Sequence, residues 1–257
     1  MQSPVVASMV DAARAAAAVL LGYFRNPAEL RVEEKGRSDL VSQADREAEA
    51  AIFEVLRRAD PGARFEGEET LVGRETSGRR YVIDPLDGTA NFLHGIPHFC
   101  VSIAHVDHLE VTAGVVLDPV RDELFWVERG LGAYLGERRL AVSARPLAEA
   151  LVHTGITPSS PRQRFLAQLE RVMAEVSFMR RMGSAALDLA YVAAGRGDAF
   201  FEAGLKPWDI AAGLLLVREA GGIVTDLTGG DTMLTTGNIL AATRTVHAPL
   251  LAALRAS

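Results

Sequence analysis

The chain has 257 residues, of which 49% are hydrophobic and 23% are charged, which is typical of a folded protein with one large domain or two smaller ones. Its net charge of −6 argues against a broad surface that binds nucleic acid or another polyanion. The single cysteine, Cys100, excludes an internal disulfide and a cysteine-rich zinc site, and its apolar neighbours indicate a buried thiol rather than a nucleophile.

Helical patterns open the chain. Residues 3–24 are rich in alanine and alternate apolar with polar positions at helical spacing, and Pro27 follows the end of this first helix. The charged segment 31–38 is typical of an exposed hairpin or a mobile loop. Residues 42–45 resemble a capping box, which predicts a second helix that extends to about Arg58.

The start of the chain also bears on location. Asp11 and Arg14 interrupt the apolar residues of the first helix, so we expect no segment that is long and apolar enough to span a membrane. A signal peptide has a basic start, then an uninterrupted apolar stretch, then a cleavage site. This order is not seen here. We therefore expect a cytoplasmic protein without a membrane partner.

Short runs of β-forming residues occupy the middle of the chain. Residues 81–83 predict a strand that enters an acidic turn. Residues 101–104 and 111–117 predict two paired strands joined near Asp107, and residues 124–127 predict a further strand.

The last part of the chain alternates between strands and helices. Strands are predicted near residues 151–154, 176–179, 199–201, 222–225 and 238–241, and helices near 161–174, 184–194 and 207–220, with a final helix from about Val246. The change of pattern near residue 140 predicts two subdomains, 1–140 with α+β character and 141–257 with α/β character.

An acidic turn is the most informative part of the sequence. The predicted strand delivers Asp84 and Asp87, three positions apart, into a turn that Pro85 tightens. Gly88 and Thr89 follow, and their backbone N–H groups could bind an anion. Carboxylate and carbonyl oxygens suit Mg²⁺ or Mn²⁺. On its own, however, the motif is more typical of a turn in which aspartates cap backbone groups.

Further acidic residues change this interpretation. Glu68 and Glu69 follow a predicted strand at 64–66, and Asp209 lies in the first turn of a predicted helix. Asp45 lies at the start of the second helix. Each of these residues alone could be a helix cap or a solvated charge. Together with the acidic turn they favour a site that binds cations.

The ordered set of motifs resembles the inositol monophosphatase family, within the lithium-sensitive carbohydrate phosphatases, and is similar in style to its bacterial suppressor-like members. The motifs, which extend over nearly the whole chain, are Gly-Glu-Glu at 67–69, Asp-Pro-Leu-Asp-Gly-Thr at 84–89 with Asn91 and Phe92, and the segments 130–134, 183–185, 208–209 and 219–222. The resemblance implies an α/β fold, a layered αβαβα sandwich of the inositol monophosphatase and fructose-1,6-bisphosphatase type. Its active site would lie between the two halves.

The resemblance also implies a role for each residue of the site. Two or three Mg²⁺ ions, with Mn²⁺ as a substitute, would be bound by Glu68, Asp84, Asp87, Asp209 and the carbonyl of Leu86. Asp45 and Thr89 would orient or deprotonate the attacking water. The implied phosphate and substrate contacts are the amides of Gly88 and Thr89, the backbone of Gly183, Ser184 and Ala185, and the carboxylate of Glu202.

The implied activity is Mg²⁺-dependent hydrolysis of inositol monophosphate, or of a similar small phosphorylated polyol, by direct attack of water. Relatives with nearly the same metal residues act on histidinol phosphate, fructose 1,6-bisphosphate or 3′(2′),5′-bisphosphate nucleotides, and one sequence does not choose among these substrates. A homodimer and sensitivity to lithium are also implied. The rival interpretation is a regulatory partner of the transcription machinery. Nucleic acid and that machinery are not expected as partners but are left open, and the retained carboxylates favour an enzyme.

Four residues near these motifs are not assigned a role in the site. Lys206 stands where some relatives have histidine, and it could contact substrate or form a surface salt bridge. Ala90 stands where many relatives have a second threonine, which we expect to cost little because Thr89 remains. His94 and His98 are interpreted as hydrogen-bonded packing residues, since the carboxylates already suit a hard cation.

Overall fold

Two β-sheets, with seven and five strands, form the framework of the chain. The computed structural model describes residues 2–26, 32–36, 39–69, 78–157 and 160–255, and of residues 32–36 and 39–42 it describes the backbone alone. The helices are α1 (Pro4–Arg25), α2 (Gln43–Ala59), α3 (Thr89–Leu93), α4 (Arg162–Glu175), α5 (Ala185–Ala193), α6 (Pro207–Glu219), α7 (Met233–Thr236) and α8 (Arg244–Arg255). The strands are β1 (Val32–Gly36), β2 (Asp39–Ser42), β3 (Phe65–Gly67), β4 (Arg79–Asp87), β5 (Cys100–Asp107), β6 (Glu110–Asp118), β7 (Glu123–Glu128), β8 (Gly132–Leu135), β9 (Arg138–Arg139), β10 (Leu151–Thr154), β11 (Phe178–Arg180), β12 (Ala199–Glu202), β13 (Ile223–Thr225) and β14 (Ile239–Ala242).

The two sheets differ in how their strands are ordered. In the seven-stranded sheet the strands follow chain order from β3 to β9, and only the β3–β4 pair is parallel. The five-stranded sheet has the order β11-β10-β12-β14-β13, with β10 parallel to both of its neighbours and β14 antiparallel to both of its own. The strands β1 and β2 form a separate antiparallel pair, which favours the hairpin over the mobile loop of the two alternatives for this segment.

Helices cover both faces of each sheet. The pair α1 and α2 packs on one face of the seven-stranded sheet, and α5 and α6 lie between the two sheets. On the far side of the five-stranded sheet are α4 and α8. Along β12, Phe200 faces the middle helices and Phe201 faces the outer ones, because successive strand side chains point to opposite faces. The layers are therefore αβαβα, as the resemblance implies.

The predicted boundary near residue 140 falls between β9 and β10, and so between the two sheets. The cluster of buried residues in the middle layer nevertheless includes Val82 and Val127 from one side of that boundary and Phe200 and Leu216 from the other. The two halves thus share a core, and the division into 1–140 and 141–257 remains a prediction.

The first helix corrects one expectation. Within the described residues α1 is the one helix whose length and composition would allow it to cross a membrane, which the sequence analysis did not expect. In the structure Met9, Ala13 and Leu20 are buried against α2 and the seven-stranded sheet. The Ser3 hydroxyl accepts a hydrogen bond from the amide of Val6 and caps this helix. The helix therefore behaves as a core helix of the fold.

Three local differences from the prediction have physical causes. The strand expected at 81–83 continues to Asp87, because an irregular register between Asp84 and Asp87 accommodates Pro85 within the ladder. The last helix begins at Arg244 rather than near Val246, with Thr243 accepting its first hydrogen bonds. The short helices α3 and α7 were not predicted, since four or five residues are too few for a periodic pattern.

The contact between α5 and α6 can be tested through a glycine. A Cβ atom on Gly213 would lie 2.5 Å from side-chain atoms of Leu189. Gly213→Ala is therefore expected to lower the free energy of unfolding by about 1–3 kcal/mol through overpacking. Gly22 is the matched control, since it also lies in a helix but its Cβ position has nothing within 4 Å. Gly22→Ala is expected to raise that free energy by about 0.5–1 kcal/mol.

Urea denaturation measures both changes. A Gly213→Ala protein as stable as the unmodified protein would contradict the close packing of these two helices.

Candidate active site

The acidic turn at the end of β4 is the centre of the candidate site. Asp84 and Asp87 are 2% and 9% exposed, so both carboxylates lie inside the fold. The Asp84 Oδ1 atom accepts a hydrogen bond of 2.9 Å from the amide of Leu86, which fixes the turn around Pro85. The aspartates cap backbone groups, as the simpler interpretation expected, but their burial requires a further explanation.

Asp87 joins the turn to the start of α5. Its Oδ2 atom accepts hydrogen bonds from the Ser184 hydroxyl at 2.6 Å and from the Ala186 amide at 2.7 Å. The Cys100 thiol lies 3.8 Å from the same oxygen, and burial raises its pKa, so it is a buried thiol as predicted. The hydroxyl of Ser184 is thus engaged with Asp87, and only backbone groups of residues 183–185 remain for the predicted substrate contact.

Thr89 and Asp45 meet beside this turn. The single proton of the Thr89 hydroxyl has two alternative acceptors, the carbonyl of Leu86 at 3.0 Å and Asp45 Oδ1 at 3.4 Å. Asp45 is 1% exposed in the first turn of α2. Gly88 precedes α3 with a φ of 98°, and a Cβ there would lie 3.0 Å from the carbonyl of His98. Glycine is needed at this position for both reasons.

Glu68 reaches the site from the strand beside β4. Its amide donates to the carbonyl of Ile83 at 3.2 Å, and its charge is one of the causes that raise the pKa of Asp84. Glu49, which the sequence analysis missed, is 2% exposed and accepts a hydrogen bond from the Glu69 amide at 3.2 Å. Asp45 and Glu49 lie one turn apart on the same face of α2, and this spacing was the signal in the sequence that could have placed Glu49 near the site.

Asp209 approaches from the other half of the chain. It lies in the first turn of α6, where its Oδ2 atom accepts a hydrogen bond of 2.7 Å from the Lys206 amide. The carbonyl of Trp208 accepts a hydrogen bond from Ser102 on β5, which anchors the helix start to the seven-stranded sheet. The side chain of Lys206 is exposed.

The carboxylates repel one another electrostatically. Burial, followed by the charges of Glu68, Asp87 and Asp209, raises the pKa of Asp84 well above its usual value. Burial and the charge of Asp87 raise the pKa of Asp209 to about 7. Burial also raises the pKa of Asp87 to about 6, although its hydrogen bonds from Ser184 and α5 oppose this shift. Such a group of buried acids is relieved by taking up protons or by a nearby positive charge.

Hard oxygen donors of this kind fit Mg²⁺. Within the described residues, no three His, Cys, Asp or Glu side chains are already gathered closely enough to enclose an ion. Mg²⁺ tolerates this arrangement because it keeps several waters and also binds substrate phosphate and backbone carbonyl oxygens. The donor set, in which Leu86 supplies a carbonyl, is thus compatible with the predicted cofactor.

Glu202 lies on the side of the site formed by the second sheet. It ends β12 and is 8% exposed, and within the described part of the chain its carboxyl group makes no hydrogen bond. Burial and the charges of Asp209, Asp188 and Asp87 raise its pKa to about 8. The structure therefore brings Glu202 into the electrostatic field of the carboxylates.

A buried pair behind α5 was also missed. Asp188 accepts a hydrogen bond of 2.7 Å from His153 Nδ1, and both side chains are 2% exposed. No sequence motif joins these residues, which are 35 positions apart and meet only because β10 packs against α5. The hydrogen bond between His153 and Asp188 positions α5, whose first turn donates to the Asp87 carboxylate.

The two histidines of the loop after α3 have different environments. His94 is exposed and its Nδ1 atom lies 2.9 Å from the carbonyl of Ala90. His98 is buried, but neither of its ring nitrogens has a hydrogen-bond partner within the described residues, so the expectation of a hydrogen-bonded residue was wrong there. Burial and the charge of Arg121 lower its pKa to about 4, which keeps the ring neutral.

Comparisons with known proteins agree with this site. The family model "Inositol monophosphatase family" matches residues 1–257. An inositol-1-monophosphatase of Mesorhizobium japonicum is 50% identical over 96% of this chain and 94% of its own length. The Nus factor SuhB of Xylella fastidiosa is 50% identical over 90% of this chain and 85% of its own.

Solved structures give the same result. The extragenic suppressor protein suhB from Bartonella henselae superposes with a TM-score of 0.94 at 47% identity, covering 98% of this chain and 99% of that one. The inositol monophosphatase from Anabaena superposes with a TM-score of 0.84 at 36% identity, over 97% of this chain and 94% of that one. The chain therefore belongs to the inositol monophosphatase family and is a phosphoric monoester hydrolase.

Proposed function

We propose that this protein hydrolyses inositol monophosphate, or a similar small phosphorylated polyol, with Mg²⁺ as its cofactor. The observation that carries the proposal is the group of mutually repelling carboxylates at the end of β4, beside Thr89, whose hydroxyl lies 3.4 Å from Asp45 Oδ1. Without a cation this much buried negative charge would repel a phosphate ester. With a cation the same group becomes a binding site for phosphate.

The proposed metal ligands divide into two sets. Glu68, Asp84 and the carbonyl of Leu86 would hold one ion, and Asp84, Asp87 and Asp209 would hold a second. When bound, Mg²⁺ neutralises phosphate charge and lowers the pKa of water. The carbonyl of Leu86 is oriented by the Thr89 hydroxyl, which donates to it at 3.0 Å.

The remaining steps belong to side chains and amides of the chain. Thr89 and Asp45 would orient the water that attacks phosphorus, and its proton would pass to the Asp45 carboxylate. The amides of Gly88 and Thr89 would bind phosphate oxygens that gain charge as the ester bond breaks. The leaving alkoxide takes a proton from water, so the products are inorganic phosphate and the free polyol.

The first prediction concerns Asp84, which belongs to both proposed metal sets. Asp84→Asn is expected to reduce kcat by roughly a hundred-fold or more, since one oxygen donor and one charge are lost. Stability should be retained or increased, because the desolvation of a buried charge is relieved. Asp11→Asn is the matched control, as Asp11 is exposed on α1.

Phosphate release and thermal unfolding are measured on both variants. Chelation should stop phosphate release and Mg²⁺ should restore it, and we expect lithium to inhibit. A folded Asp84→Asn protein with turnover within a few-fold of the unmodified enzyme would remove Asp84 from the mechanism.

A second prediction concerns Glu202 and the hydroxyl groups of the substrate. Its carboxyl group is nearly buried and makes no hydrogen bond within the described residues, so substrate hydroxyls would supply the missing partners. Glu202→Gln is expected to cost about 1–3 kcal/mol of transition-state binding for inositol 1-phosphate and much less for p-nitrophenyl phosphate.

The values of kcat/KM for the two substrates are compared, with Glu170→Gln on the exposed face of α4 as control. Equal losses on both substrates would assign Glu202 to the scaffold. An unchanged kcat/KM for both substrates would show that Glu202 does not contribute to substrate binding or catalysis.

We also propose a homodimer in the cytoplasm, on the strength of the family resemblance. Light scattering at micromolar concentration is expected to give about twice the chain mass of 27.6 kDa. A mass equal to that of one chain would contradict this part of the proposal.

A second candidate function is an association with the transcription machinery. It is favoured by the name Nus factor carried by several relatives, including the SuhB protein of Escherichia coli at 44% identity. Such a role needs surface contacts rather than the carboxylates. The Asp84→Asn protein separates the two functions, because it should lose hydrolysis and keep any association of this kind.

A further inference from the structure

The backbone that is proposed to contact the polyol lies where a strand gives way to a helix. Strand β11 ends at Arg180 and α5 begins at Ala185, so most of the polyol segment, residues 182–185, belongs to neither element. Within it Gly183 has a φ of 85°, a conformation that favours glycine. The position of this segment therefore depends on contacts with other parts of the fold.

Two side chains from the first half of the chain hold the polyol segment. The Asp87 carboxylate accepts two hydrogen bonds at its α5 end. At its other end the Asn91 Nδ2 atom donates to the carbonyl of Met182 at 2.8 Å, across 91 positions of the chain. Gly183 lies between these two contacts, and a Cβ atom there would lie 3.2 Å from Asn91 Nδ2. Asn91 thus packs directly against the backbone of the segment.

Asn91 is itself fixed to the phosphate-binding turn, which is formed by Gly88 and Thr89. It lies in α3, two residues after Thr89, and its backbone carbonyl accepts a hydrogen bond of 2.8 Å from the Ile96 amide. Its Nδ2 atom also donates to the carbonyl of His98 at 2.8 Å, and that carbonyl lies against the α-carbon of Gly88. One side-chain amide therefore joins the phosphate-binding turn to the polyol segment.

Both protons of the Asn91 amide are used in this arrangement. The two acceptors are carbonyl oxygens on different segments, so one side chain satisfies both only if it carries two N–H donors. An ionised aspartate has the same shape but no proton, and it would direct negative charge at both carbonyls. Donor capacity, rather than size, is therefore the property that position 91 requires.

The phosphate-binding turn has supports that do not involve the Asn91 side chain. The Phe92 amide donates to the carbonyl of Gly88 at 3.0 Å, and the Thr89 hydroxyl lies 3.0 Å from the carbonyl of Leu86. Phe92 is 3% exposed and packs edge-on against Phe99, which holds α3 in place. Loss of the Asn91 amide should therefore release the polyol segment and leave the phosphate contacts in place.

We propose that Asn91 is a positioning residue for the polyol part of the substrate. Its amide would hold the polyol segment at the distance from the phosphate-binding turn at which a single polyol phosphate reaches both. Asn91 would touch neither the substrate nor the reacting atoms. The inference rests on the proposed function, because it takes the phosphate to bind at Gly88 and Thr89 and the polyol to bind at the backbone of residues 183–185.

The variants Asn91→Asp and Asn91→Ala test the proposal, with inositol 1-phosphate and p-nitrophenyl phosphate as substrates. Both variants remove the two donors, and Asn91→Ala does so without adding a charge. In Asn91→Ala, kcat/KM for inositol 1-phosphate is expected to fall about ten- to hundred-fold, mainly through KM, and that for p-nitrophenyl phosphate by less than about three-fold. The charge added in Asn91→Asp acts on both phosphates, so for this variant the ratio of the two kcat/KM values is compared.

Gln168→Glu is the matched control for the loss of an inaccessible amide. Gln168 is 4% exposed on α4, and its Nε2 atom donates to the carbonyl of Leu254 at 3.4 Å, away from the site. This variant should lower Tm and keep the ratio of the two kcat/KM values, in assays at a temperature where circular dichroism shows every variant to be folded. An equal change of the ratio in Gln168→Glu and the Asn91 variants would reduce the effect to general stability and overturn the proposal.

The other side of the contact gives an independent test. Gly183→Ala places a methyl group against Asn91 Nδ2 and should lower the same ratio. In the Gly183→Ala, Asn91→Ala protein the two losses should be less than additive, because both act on one contact. Fully additive losses would show that the two residues act separately and would overturn the proposal.

The unmodified enzyme separates this inference from the proposed function. If it hydrolyses both esters and folded Asn91 variants lose activity equally on both, or on neither, the inference fails and the proposed function stands. If it does not hydrolyse inositol 1-phosphate or a related polyol phosphate, the proposed function fails and the inference fails with it.

Discussion

The carboxylate of Asp87 is the contact on which the site depends. It belongs to β4 of one sheet and accepts hydrogen bonds from Ser184 and Ala186 at the start of α5, nearly a hundred positions later in the chain. A carboxylate at a helix N-terminus is stabilised by the free amides and the helix dipole. This contact positions the middle layer of helices against the acidic turn. The acidic turn and the start of α5 therefore have a fixed relative position.

The same contact also explains why Asp84 and Asp87 differ in pKa. Asp87 has donors that oppose its burial, and its pKa rises only to about 6. Asp84 has one amide donor and three nearby negative charges, and its pKa rises well above the usual range. The fold tolerates this repulsion because the helices α1, α2, α5 and α6 bury continuous apolar clusters around the turn. The repulsion among these carboxylates is thus of a kind that a bound cation would relieve.

Much of the fold was predictable because its elements are locally periodic. The helix at 3–24, the strands at 101–104 and 111–117, and the helix at 207–220 appear within a few residues of their predicted bounds. The pairing of Asp45 with Thr89 was predictable only through the family resemblance. Glu49 and the pair of His153 and Asp188 were not predicted, because their contacts depend on how distant elements pack. The sequence offered the helical spacing of Asp45 and Glu49 as a signal for the first of these contacts and no signal for the pair of His153 and Asp188.

Two glycines show how closely the backbone and the acidic side chains depend on each other. A side chain at position 67 would collide with the Glu49 carboxylate, and one at position 155 would collide with that of Glu202. In each case a nearly buried acid lies directly against a strand end or the loop that follows it, where only hydrogen fits on the α-carbon. The first glycine lets Glu49 hold the backbone of Glu69, next to the proposed metal ligand Glu68. The second leaves room for Glu202, whose side chain lies in the field of Asp209, Asp188 and Asp87, so the placement of glycine sets where the proposed contact with substrate hydroxyl groups can form.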